Sequence, residues 1–208
     1  MREHWQTISG QIGLDYSENI EAIFDMPTVM DILSRENPNS GGDIQKAKEF
    51  LNNPFFRPFL EKRFPCVLTG KIGKYDAAII PAAGTHSSSS GYYYHTHLHL
   101  VFPRKYDFGM SIKKNTFFGR LFRAGKILSH DIEFNKLIAV KAKSNREQVT
   151  SFVDNPKLIE AVKQLFVRYP DSSVSDFGVK AKIMDGTPEL TEVKSALELM
   201  RAVIECFY

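Results

Sequence analysis

Eleven consecutive residues, Tyr92–Phe102 (YYYHTHLHLVF), alternate strictly. Tyr92, Tyr94, Thr96, Leu98, Leu100 and Phe102 fall on one side, and Tyr93, His95, His97, His99 and Val101 on the other. Successive side chains of a strand point to opposite faces, so the period predicts a half-buried β-strand with its first face on a core. The second face reads as solvent-facing and carries three of the chain's six histidines.

A chain of 208 residues can bury a core without staples. Its 43% hydrophobic and 25% charged residues are those of an ordinary globular protein. A net charge of +3 is small beside the basic excess of most nucleic-acid binders, so nucleic acid is not expected as a partner. Cys66 and Cys206 stand apart and form no CxxC or Cys/His cluster, which fits reduced packing cysteines of a cytosolic protein. The N-terminus has no apolar run of signal-peptide length, and no stretch approaches the roughly 20 apolar residues of a membrane span. These features predict a soluble, cytoplasmic protein.

Strand signals come as a run without alternating helices, which argues against a doubly wound parallel sheet. The expected fold class is α+β: an antiparallel or mixed sheet with helices packed mainly on one face and a long C-terminal helix on the sheet. Residues 1–65 read as a helical and irregular segment packed on an α+β domain of residues 66–208, together one globular unit. Glu3–Ile12 places Trp5, Ile8 and Ile12 on one helical face, stopped by Gly13. Further helical patterns run from Asn19 to Ser34 and after Asp43. An aromatic, proline-rich stretch, NNPFFRPFLEKRFP, follows and reads as a flap over the core or a patch for a partner.

Cys66–Ile72 and Tyr75–Ala82 flank Gly73-Lys74 as a hairpin. Phe108–Ile112 and Leu137–Ala142 read as strands. Ser144 and Glu147 have capping-box spacing, and Asn155-Pro156 starts a helix whose stripe ends at Tyr169. Short strands at Ser173–Asp176 and Val179–Met184 precede a final helix opened by Thr187-Pro188.

At Gly125–Val140 (GKILSHDIEFNKLIAV) the chain resembles a set of uncharacterised bacterial proteins. Their shared pattern is a glycine, an apolar step and Asp-x-x-Phe-Asp leading into a strand and then a helix. It maps onto Gly125, Asp131, Phe134 and Asn135, with Asn135 standing where the pattern has Asp. The resemblance covers roughly the last two-thirds of the chain and implies a related fold but no activity. The residues alone predict a turn in which Asp131 or Asn135 bonds backbone amides, with Phe134 anchored beneath it.

The histidine row is one candidate site. Residues two apart on a strand share a face, with Cα atoms roughly 6.6 Å apart, so two adjacent imidazoles can reach one ion. His95, His97 and His99 are the candidate metal ligands. His86 in the preceding serine-rich loop and Asp76 are candidates for the remaining position. Such a site would take a transition metal with three or four ligands; no other cofactor is implied. The alternative is a solvated strand face.

A second candidate is the stretch from Phe108 to His130, which contains no acidic residue. Lys113, Lys114, Arg120, Arg123 and Lys126 could bind an acidic protein or an anionic membrane if Thr116–Ala124 forms a basic amphipathic helix. The alternative is a connecting helix whose phenylalanines cap the sheet. Phosphate-loop, dinucleotide, zinc-protease and serine-hydrolase motifs are all absent. Two functions therefore fit: a non-enzymatic binding or scaffolding domain, or a metal-binding protein or metal-dependent enzyme built on the histidine strand.

Overall fold

The computed structural model describes residues 1–19, 65–85, 92–104, 106–115 and 126–208. Among them are five helices: α1 (Arg2–Ile12), α2 (Ile132–Leu137), α3 (Arg146–Val153), α4 (Pro156–Arg168) and α5 (Leu190–Glu205). They accompany nine strands: β1 (Leu14–Ser17), β2 (Val67–Ile72), β3 (Tyr75–Thr85), β4 (Tyr92–Val101), β5 (Ser111–Lys114), β6 (Lys126–Ile127), β7 (Ile138–Lys141), β8 (Ser173–Ser175) and β9 (Gly178–Ile183). The strands hydrogen-bond in the order β1-β2-β3-β4-β9-β8-β5-β7-β6. The fold is α+β with an antiparallel sheet and the C-terminal helix packed on it, as expected. No helix among the described residues is long and apolar enough to cross a membrane.

The chain divides into two compact units, one of Met1–His97 with Ile183–Leu190, the other of Leu98–Lys182 with Thr191–Tyr208. In the first, α1 stops where expected: Gly13 adopts φ 73° and its N–H donates to the Ser9 carbonyl at 2.9 Å. The helix packs on β1 and β2. β1 is a strand that the sequence did not announce, because LDYS is only four residues long with no apolar run. It pairs antiparallel with β2, Leu14 opposite Gly70. β2 and β3 form the predicted hairpin, closed by Ile72 opposite Tyr75, with Gly73 at φ 62°. Trp5 is fully buried and donates its indole N–H to the Gly186 carbonyl at 3.1 Å. Thr96 Oγ1 donates to the neighbouring Asp185 carbonyl at 2.8 Å. Gly186 is held to glycine because a Cβ there would stand 2.4 Å from Tyr94 Cβ.

In the second unit one face of the sheet is apolar. Val179, Val174, Ile112, Val140 and Ile127 lie opposite one another across five strands and are all buried. The inward stripe of α4, Leu158, Val162 and Leu165, is buried, as are Val193, Leu197, Met200 and Ile204 of α5. α4 begins as predicted, the Asn155 side chain accepting from Lys157 N–H at 2.9 Å with Pro156 at the first helical position. The capping box at Ser144 does not form. Asn145 is the N-cap of α3, in a left-handed conformation, while Ser144 Oγ donates to the Asp107 carbonyl at 2.8 Å. The turn expected at Asp131 is the short helix α2: Asp131 Oδ1 accepts Phe134 N–H at 2.8 Å, and Phe134 is buried. The helical patterns and aromatic stretch expected in residues 20–64 lie outside the described residues.

Candidate functional site

The histidine face of β4 is not the solvated face expected. His95 and His99 keep only 6% and 3% of their surface, while Tyr94, on the face expected to be apolar, is 47% exposed. Both faces of the strand are therefore buried from His95 to Leu100, where His97 alone is half-buried. A neutral imidazole tolerates this when its polar nitrogens are engaged. His95 Nε2 and His97 Nε2 lie 2.9 Å apart with rings edge to face, so one ring donates to the other according to tautomer. Tyr93 stacks on His95 at 5.3 Å. The strand spacing thus does bring two adjacent imidazole nitrogens to one point.

A metal centre needs more. Among the described residues no group of three or more His, Cys, Asp or Glu side chains is placed to hold an ion. Asp76 is turned outward in an ion pair with Lys71 at 2.7 Å. His86 lies outside the described residues. In the second unit, burial and then the charge of Lys180 push the His99 imidazole down to about 3, so it is neutral at pH 7.

The basic helix expected at Thr116–Ala124 lies outside the described residues. Lys113 and Lys126 sit on strands β5 and β6, and the intervening Arg120 and Arg123 lie outside the described residues. The face of the second unit's sheet opposite the apolar one carries two cross-strand rows. One is Lys180, Ser173, Lys113 and Ala139 on β9, β8, β5 and β7. The other is Gly178, Ser175, Ser111, Lys141 and Lys126 on β9, β8, β5, β7 and β6. Lys182 extends β9 on the same face, 3.8 Å from Asp171. None of these ten positions is acidic, aromatic or arginine. Lys113 and Lys141 are exposed, and Lys126, Lys180 and Lys182 half-buried.

Lys126 and Lys141 are direct cross-strand partners. Like charges so placed repel and weaken a sheet. Lys126 Nζ leans aside to Asn115 Oδ1 at 3.0 Å. Lys114, by the alternation of β5, falls on the other face and is not part of the array. Lys141, Lys180 and Lys182 are the residues that sequence reasoning missed. Their signal was present as repeated apolar-lysine alternation, Val140-Lys141 and Val179-Lys180-Ala181-Lys182, but only register shows that the strands share a face.

Two other features carry no site chemistry. A cleft of about 350 Å³ lies between β6, α2 and β7, yet its polar groups are already engaged. Asn115 Nδ2 donates to the Asn135 carbonyl, Asn135 clamps Ser129 through both N–H and carbonyl, and Lys136 pairs with Glu133. His130 Nδ1 meets Asp154 Oδ1 at 2.9 Å, but the imidazole is 92% exposed, and Asp154 also accepts the His130 backbone N–H, so the pair fastens a loop.

No protein-family model, curated protein or solved structure matches the chain.

Proposed function

We propose that the protein is a non-enzymatic binding module for an anionic partner, with the lysine-serine face of its second unit as the working surface. The observation that supports this is the register that sets Lys126 directly against Lys141 and sends Lys113 and Lys180 to the same face, where none of the ten strand positions named above is acidic. A sheet that gathers like charge is relieved when an anion lies over it. The two free cysteines fit a reducing, cytoplasmic setting, and the likeness at Gly125–Val140 fits a bacterial source. Retention on a heparin column, followed as a function of salt, tests the reading. The triple variant Lys113→Gln/Lys141→Gln/Lys180→Gln should elute at much lower salt than the unaltered protein. Equal elution of the two removes this surface as the binding face.

A second reading is a transition-metal site, supported by the 2.9 Å approach of His95 Nε2 to His97 Nε2. Two convergent imidazoles supply half of a tetrahedral set, and His86 is the candidate for a third ligand. Elemental analysis of untagged protein, beside His97→Ala, tests it. Near-stoichiometric metal that falls in the variant supports the site; metal-free protein rejects it.

A further inference from the structure

We draw no further inference here: the strongest candidate, the pair of imidazoles from His95 and His97 that converge on one face of β4, belongs to the site already described, and among the described residues no third ligand joins it to say which ion it would take.

Discussion

Asp176 reaches back 67 residues to fasten Gly109. Its Oδ2 accepts the Gly109 N–H at 2.7 Å, and its Oδ1 accepts the next one, from Met110, at 3.0 Å. The carboxylate is buried, and Gly109 is in the left-handed region at φ 59°. The bend ahead of β5 is therefore built on one side chain from the β8–β9 turn. Removing that side chain leaves two buried amide donors unsatisfied, and hydrogen bonds to a charged acceptor contribute about 1.5–3 kcal/mol each. Asp176→Ala should destabilise the protein by about 3 kcal/mol or more in urea melts, and Asp176→Asn, which keeps one acceptor, by clearly less. A loss below about 1 kcal/mol for alanine would show that the bend holds itself.

Gly178 of β9 lies hard against the backbone of β4. A Cβ there would stand 2.0 Å from the Leu100 carbonyl oxygen and 2.9 Å from Val101 Cα, and both are backbone atoms that cannot swing aside. Gly178→Ala should cost at least the roughly 1–3 kcal/mol typical of overpacking. It should also raise hydrogen exchange at the amides of Leu98, Leu100 and Ala181. Unchanged exchange there would mean that the two strands separate without penalty.

The neutral His99 makes stability depend on pH. Its native value, about 3, is below the unfolded value of about 6.5. Its contribution is therefore complete above about pH 6.5 and falls as acid protonates the unfolded state first. The slope is about 1.4 kcal/mol per pH unit between those limits. Urea midpoints at several pH values should decline toward acid more steeply for the native protein than for His99→Gln, which has no imidazole to charge. Parallel curves for the two proteins would refute the assignment.

Burial, and then the charge of Glu18, push the Cys66 thiol up to about 12. A thiol held protonated and enclosed does not react. A thiol-reactive dye at pH 8 should leave Cys66 unmodified in the folded protein and modify it in urea, as read by peptide mass mapping. Rapid labelling under native conditions would place Cys66 at the surface.

The sequence revealed elements better than surroundings. β4 was legible because eleven residues keep a period of two, and α4 because Asn155-Pro156 is a local start signal. What covers a strand is not local. The histidines of β4 looked solvated because imidazole is polar, yet His95 and His99 are buried, and burial depends on what packs against a strand and not on the strand's own pattern. The same reason hid the lysine face: β5, β6, β7 and β9 each report one or two lysines, and only pairing across β8 and β7 gathers them. At α3 the sequence spacing pointed to Ser144, but that hydroxyl is spent on Asp107, and Asn145 caps the helix by its backbone shape.

The bond from Trp5 to the Gly186 carbonyl joins residues 181 positions apart inside one unit. During synthesis α1 therefore leaves the ribosome well before the carbonyl that its indole will bond. That hydrogen bond can close only when residues 183–190 have emerged, so α1 reaches its finished state long after it is made.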